Sequence, residues 1–168
     1  MYSIALFLVA FVPMILEARR SRHNENALRA AGALEPPNDV YAMMQIAYPA
    51  SFLGMVAEAW MRGSGATSVA LVGAVVFVLA KAIKYWAIAT LGDRWTFRVL
   101  VPPRSQRTLR GPYRWLRHPN YVGVAGEIVG FALLAQAPIA GVIATVVFAL
   151  LLVARIRVEE RALGLRSG

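Results

Sequence analysis

Long apolar segments constrain the fold of this chain more than any other feature. Since lipid offers the backbone no hydrogen-bond partners, an apolar segment that enters a bilayer forms a helix. Crossing the hydrocarbon layer takes about 20 apolar residues. The chain has five apolar segments, residues 2–16, 41–61, 67–91, 121–137 and 139–154. The second and third are long enough to span a membrane by themselves, and the other three need flanking residues to do so.

The composition supports a membrane protein. Apolar residues make up 58% of the chain and charged residues only 16%, which leaves too little polar surface for a soluble domain of this size. The first segment lacks both a basic leading region and a small-residue cleavage site, so we expect a retained helix rather than a signal peptide. The sequence therefore predicts an all-α integral membrane protein with about five transmembrane helices.

The length of 168 residues suits a single domain. Residues 1–91 supply three N-terminal helices, and residues 92–168 supply a polar loop, a helical hairpin and a short tail. Pro138 marks a tight turn inside the hairpin. Gly126 and Gly130 form a GxxxG pair, with Gly123 at near-helical spacing, and we expect these small residues to let another helix approach closely.

The net charge of +9 comes from arginines at the ends of the apolar segments. Basic loops face the cytoplasm, so this pattern predicts an N-terminus outside and a C-terminus inside. It favours a bilayer over a nucleic acid as the partner. With no cysteine and two histidines, no metal site is expected. The loop at residues 92–120 is the most basic, with Arg94, Arg98, Arg104, Arg107, Arg110, Arg114 and Arg117.

Four ionisable residues lie inside the apolar segments, where charge is costly and often functional. Glu58 lies near the outer end of its segment and is expected to reach water. Lys81 and Lys84 share a helix face and are expected to snorkel to the headgroups, or else to line a cytoplasmic cavity. Glu127 is expected to pair with an arginine or to contact a ligand, with a hydrogen bond between helices as the alternative.

Two polar stretches flank the predicted hairpin, "RHPNY" at residues 117–121 and "RIRVEE" at residues 155–160. The predicted topology brings both to one face of the membrane. Arginine and histidine donors suit an anionic group, glutamates suit a cation, and tyrosine or tryptophan rings suit a flat ring or a sulfonium. S-adenosylmethionine would satisfy this set of groups, although the set alone does not select it.

The segment "GPYRWLRHPNYVG" at residues 111–123, followed by "RIRVEERAL" at residues 155–163, resembles the isoprenylcysteine carboxyl methyltransferase (ICMT) family, which is related to phospholipid methyltransferases. The shared pattern is Arg-His-Pro-x-Tyr-x-Gly, a hairpin, and then Glu-Glu-x-x-Leu. "LGDRWTFRV" at residues 91–99 extends it. The resemblance implies an integral membrane methyltransferase that uses S-adenosylmethionine in a cytoplasmic-side pocket.

The chain looks most similar to compact bacterial members of that family, some of which methylate alkylpyrone or alkylresorcinol hydroxyls, and this likeness implies a bacterial inner membrane. Longer relatives continue after the second motif with a further helix, so we expect another part of this chain to close the pocket. The acceptor is then a lipophilic small molecule bearing a carboxylate or a hydroxyl. The competing interpretation is a non-catalytic lipid-binding or scaffold membrane protein. Oligomeric state is left open.

The resemblance also implies site residues. Arg155 would orient an acceptor carboxylate, with Arg157 as the alternative. A hydroxyl acceptor would instead need a base, for which His118, Glu127 and Glu160 are candidates. The residues implied in cofactor binding are Gly111, Pro112, Tyr113, Arg117, His118, Tyr121, Gly123 and Glu159.

Overall fold

A computed structural model describes residues 1–37, 39–103 and 108–162, and these form a helical bundle without a β-strand. The all-α membrane fold is therefore confirmed. Arg104, Arg107, Leu163 and Arg166, which belong to the predicted basic loop and tail, lie outside the described residues. The helices are α1 (Tyr2–Ala30), α2 (Tyr41–Met61), α3 (Ser68–Leu91), α4 (Pro119–Ala135) and α5 (Pro138–Ala162), with short 3-10 turns at Gly92–Arg94 and Gly111–Arg114.

Three helical stretches of the described chain are long and apolar enough to cross a membrane, namely Tyr2–Ala30, Ser68–Arg94 and Pro138–Arg161. The 21-residue α2 is not among them, contrary to the expectation for residues 41–61. Its polar side chains, Gln45 and Glu58 above all, lower its hydropathy. At 17 residues, α4 is a shorter apolar helix.

The first helix is longer than its apolar segment. The apolar segment ends at residue 16, but α1 continues to Ala30, so the helix extends well beyond the expected residues 2–16. The extension is rich in alanine, arginine and glutamate, which are good helix formers. One face of it is buried, through Glu17, Ser21 and Asn24. The spacing of these residues, i, i+4 and i+7, is that of a single helix face.

Glycines fix the tightest helix contact, between α3 and α4. A Cβ on Gly130 would lie 2.5 Å from the backbone nitrogen of Phe77, and one on Gly73 would lie 2.2 Å from that of Leu134. Close packing at the predicted glycines is therefore confirmed, with α3 as the partner. The tight turn before Pro138 is also present, and Gln136 adopts a left-handed conformation there, with φ 52°.

Glu58 caps the start of α5. Its carboxylate is buried and accepts backbone N–H groups from Ile139 at 3.2 Å and from Ala140 at 2.7 Å. A carboxylate at this position satisfies donors that have no partner within the helix. The expectation that Glu58 reaches water is therefore wrong.

The loop after α3 folds back over one end of the bundle and is held there by the polar half of α1. Asn24 donates to the carbonyl oxygen of Trp95 at 2.7 Å, and Ser21 accepts the backbone N–H of Phe97 at 2.7 Å. A backbone bridge joins Leu34 to Val101. The C-terminal ends of α1, α3 and α5 and the N-terminal ends of α2 and α4 meet beneath this loop.

Candidate active site

A partly open cavity of about 220 Å³ lies between this loop and helices α2, α3, α4 and α5. Its lining is mostly apolar and includes Val124 and Phe148, which we call its floor. Five of the residues implicated by the sequence line it: Tyr113, His118, Tyr121, Arg155 and Glu159. The other seven lie outside its wall: Gly111, Pro112, Arg117, Gly123, Glu127, Arg157 and Glu160.

The two sequence motifs meet at the mouth of the cavity. His118 precedes Pro119, which begins α4, and its Nδ1 lies 3.6 Å from Oε2 of Glu159 near the end of α5. Tyr121 stands one turn further along α4, stacks against the His118 ring at 5.5 Å, and donates its hydroxyl to Glu159 Oε2 at 2.7 Å. A histidine, a tyrosine and a carboxylate from two helices thus share one surface.

The surroundings of His118 favour its protonated form. The Glu159 carboxylate, an acceptor at the long distance of 3.6 Å, raises the pKa of His118 above its ordinary 6.5. Burial lowers it by less, and Glu160, whose Oε1 lies 3.5 Å from Nε2, raises it further. The mouth of the cavity therefore places an imidazole whose protonated form is favoured beside a carboxylate acceptor.

Arg155 is buried in the cavity wall, and its positive charge is balanced by a carboxylate of the protein. It pairs with the Asp39 carboxylate, donates to the carbonyl oxygen of Phe97, and reaches the Tyr121 hydroxyl at 3.3 Å. Arg157 is exposed and outside the wall, so of the two candidate arginines the cavity holds Arg155. Sequence reasoning missed Asp39, which lies in an irregular connection with no periodicity to flag it.

A cluster of four charged side chains lies behind the cavity floor. Lys84 Nζ is 2.5 Å from Glu17 and 3.1 Å from Glu127, and Lys81 Nζ is 3.0 Å and 3.1 Å from the same two carboxylates. Lys81 and Glu127 Oε1 form an ion pair, but its geometry is not that of a hydrogen bond. We call Glu17, Lys81, Lys84 and Glu127 the lysine–glutamate cluster.

This cluster decides between the stated alternatives for Lys84 and Glu127: Lys84 lines the cavity, and Glu127 makes a hydrogen bond between helices, with Tyr48 of α2. Lys84 is 2% exposed and paired with two glutamates, so it does not snorkel, and it lines the cavity instead. Glu127 pairs with lysines rather than with an arginine, and it also accepts a hydrogen bond from Tyr48. Glu17 was missed because the apolar run stops at residue 16, although its spacing with Ser21 and Asn24 could have revealed a buried polar face.

Gly123 packs against α3. A Cβ there would lie 2.7 Å from the Cβ of Lys84 and 3.1 Å from the Ala80 carbonyl oxygen. It therefore sets the approach of α4 to α3 rather than facing the cavity. Gly111, with φ 54°, similarly lies against Thr90. Within residues 1–37, 39–103 and 108–162, no group of three or more histidine, aspartate or glutamate side chains is placed to hold a metal ion.

The fold and the site define an integral membrane protein with a mostly apolar cavity, lined in part by charged side chains, at one end of a helical bundle. The chain belongs to the isoprenylcysteine carboxyl methyltransferase (ICMT) family, whose sequence model matches residues 71–164, so the resemblance in its motifs is confirmed. Membership supports a membrane methyltransferase activity, and methyltransferases of this family generally use S-adenosylmethionine.

The relatives are bacterial proteins of similar length. The chain is 32% identical over 158 residues to YpbQ, an uncharacterised protein of Bacillus subtilis (strain 168), and the match covers 94% of each chain. It is 27% identical over 144 residues to an uncharacterised protein of Haemophilus influenzae (strain ATCC 51907 / DSM 11121 / KW20 / Rd), covering 85% of this chain and 84% of that one. No solved structure matches the chain.

Proposed function

We propose that the protein is an S-adenosylmethionine-dependent O-methyltransferase that acts on a lipidic acceptor. The observation that carries this proposal is the meeting of His118 and Glu159, from two separate motifs, 3.6 Å apart on the wall of one cavity. Family membership supplies the class of reaction, and the cavity supplies a place for it.

The donor set of the cavity fits the cofactor. Glu159 is an acceptor for the ammonium group of an amino acid, and the His118 imidazolium is a donor for its carboxylate. Arg94 also lines the mouth, and in the described chain it donates to Thr108 at 2.8 Å and has no carboxylate partner. The rings of Tyr113 and Trp95 line the same mouth and suit a flat base. These residues would hold the cofactor.

The cofactor supplies an electrophilic methyl group on a cationic sulfur. The protein's own contribution is to align the reactants and to exclude water from a transfer in which charge is neutralised. Tyr121, held between Glu159 and Arg155, fixes the wall nearest the mouth. Met44, Val124 and Phe148 provide an apolar lower part that suits the chain of a lipid.

The charges in the wall favour a hydroxyl over a carboxylate as the acceptor. Arg155 is neutralised by Asp39, and Lys84 by the lysine–glutamate cluster, so neither is left unbalanced to bind a second anion. Of the three candidate bases, Glu127 connects to the cavity through Tyr48, Glu160 does not line it, and His118 is the proposed donor to the cofactor rather than the base.

We also propose five spans in a bacterial inner membrane, with the cavity on the cytoplasmic side and the N-terminus outside. The distribution of arginine supports this orientation. Arg62 is the sole arginine of the connection between α2 and α3, at the end opposite the cavity. The described part of the loop after α3, residues 92–103 and 108–118 at the cavity end, carries five.

Mass spectrometry of a total bacterial lipid extract, incubated with the purified protein and methyl-labelled S-adenosylmethionine, tests the proposal. We expect the wild type to label a lipid and Glu159→Ala to lose the labelling. Asp93→Ala is the matched control, because it removes an exposed carboxylate at the same end of the bundle. A folded wild type that labels no lipid and does not bind S-adenosylhomocysteine would favour a non-catalytic lipid-binding or scaffold protein instead.

A further inference from the structure

Lys84 lies at the floor of the cavity, and the proposed transfer does not use it. The side chain is 2% exposed, yet it lines the cavity beside Tyr48 and Phe148. A lysine is costly to bury, and within a membrane such a residue is usually functional.

The charge of Lys84 is balanced inside the protein. Glu17 from α1 and Glu127 from α4 both contact it, and Lys81 balances the second of the two carboxylates. The lysine–glutamate cluster therefore holds two positive and two negative groups. Pairing of this kind allows a charged ammonium to persist in an apolar interior.

One N–H donor of the Lys84 ammonium has no acceptor among the described residues. An ammonium has three N–H donors, and Lys84 uses two of them, to Glu17 at 2.5 Å and to Glu127 at 3.1 Å. Among the described residues no third hydrogen-bond acceptor contacts Nζ, and the Tyr48 ring centroid lies 5.3 Å away. A buried donor without a partner costs about 1–3 kcal/mol, so an oxygen atom entering the cavity would bind there favourably.

We propose that Lys84 is an acceptor-binding residue, whose third N–H donates to an oxygen atom in the head group of the lipidic acceptor. This inference rests on the proposed function and adds to it the point where the acceptor is held. Because the lysine–glutamate cluster is already neutral, the oxygen it suits is that of a hydroxyl or a carbonyl. Glu127, which contacts Lys84 at 3.1 Å, then acts as a positioning residue and keeps the ammonium charged and in place.

A pair of balanced double variants separates this role from a structural one. Lys84→Met with Glu17→Gln removes one positive and one negative charge and leaves Lys81 paired with Glu127. Lys81→Met with Glu17→Gln removes the same charges but keeps Lys84, and Lys81 does not line the cavity. Both variants keep the cluster neutral, so they differ in whether the cavity retains its ammonium.

Two measurements are needed: the amount of total bacterial lipid extract giving half-maximal methyl labelling, and the affinity for S-adenosylhomocysteine by calorimetry in detergent. Losing one hydrogen bond to a charged donor should raise the half-saturating amount about tenfold in the Lys84 variant. Its S-adenosylhomocysteine affinity, and both quantities in the Lys81 variant, should stay within about twofold of wild type.

Equal half-saturation in the two double variants would overturn the inference while leaving the proposed function intact. A wild type that does not bind S-adenosylhomocysteine would overturn the proposed function, and this inference with it.

Discussion

Arg155 and Asp39 form an ion pair whose side chains are 3% and 5% exposed, although 116 residues separate them in the chain. Asp39 also accepts the backbone N–H groups of Tyr41 at 3.2 Å and Val99 at 3.4 Å. The pair thereby ties the start of α2 and the loop over the cavity to the end of α5. The family match begins at residue 71, so this part of the wall is completed by a residue outside it.

Removing the charge of Asp39 should destabilise the protein. Asp39→Asn leaves the buried Arg155 guanidinium without a neutralising partner, which typically costs about 3–5 kcal/mol. Denaturant unfolding of the purified protein in detergent measures this loss. Asp93→Asn, at an exposed aspartate, should change the free energy of unfolding by no more than about 0.5 kcal/mol. Similar losses in both variants would show that the ion pair does not stabilise the fold.

The apolar pattern predicted the fold because it is a local signal. Each apolar run marks a helix, and the small residues at Gly126 and Gly130 mark where another helix approaches. Helix ends were less predictable: hydropathy falls at Glu17, but helical hydrogen bonding continues to Ala30. A change in polarity is therefore a poor guide to where a helix stops.

The candidate site was predictable where a motif carries it and not where distant residues meet. His118 and Glu159 were found from their motifs, and the expected hairpin brings them together. The partners of the buried cations were not found, because Glu17 and Asp39 contact Lys84 and Arg155 only through the tertiary fold. Sequence alone could show that Lys84 needed an explanation, but not which carboxylates provide it.

The stability of the cavity mouth should depend on pH through His118. Its pKa in the folded protein is raised above 6.5, chiefly by Glu159 and in part by Glu160. The stabilisation from protonated His118 is therefore fully present below about pH 6.5 and is lost as the pH rises through the raised value. Unfolding measured between about pH 6 and about pH 9 should show this decline in the wild type.

His118→Gln provides the comparison, because it keeps a hydrogen-bonding side chain that does not titrate. We expect the difference in stability between wild type and His118→Gln to shrink as the pH increases. His23→Gln, at an exposed histidine, should follow the wild-type curve. A difference that stays constant or grows with pH would contradict the raised pKa.

The contact between α3 and α4 should not tolerate a methyl group. In Gly130→Ala the new Cβ would meet the Phe77 backbone nitrogen at 2.5 Å and its Cα at 2.8 Å, so one helix must move. Overpacking of this kind costs about 1–3 kcal/mol, which unfolding in detergent can measure. Gly65→Ala is the control, because its Cβ would meet nothing within 4 Å. An unchanged stability for Gly130→Ala would mean that the helices are further apart than described.

Calorimetric titration of the purified protein with S-adenosylhomocysteine in detergent tests most directly whether His118 and Glu159 bind the same ligand. The wild type should bind, and His118→Ala and Glu159→Ala should each weaken binding by about tenfold or more, the loss of one charge-assisted hydrogen bond. His23→Ala and Asp93→Ala should bind like the wild type. Binding that is absent from the folded wild type, or unchanged in both cavity variants, would contradict a cofactor site between these two residues.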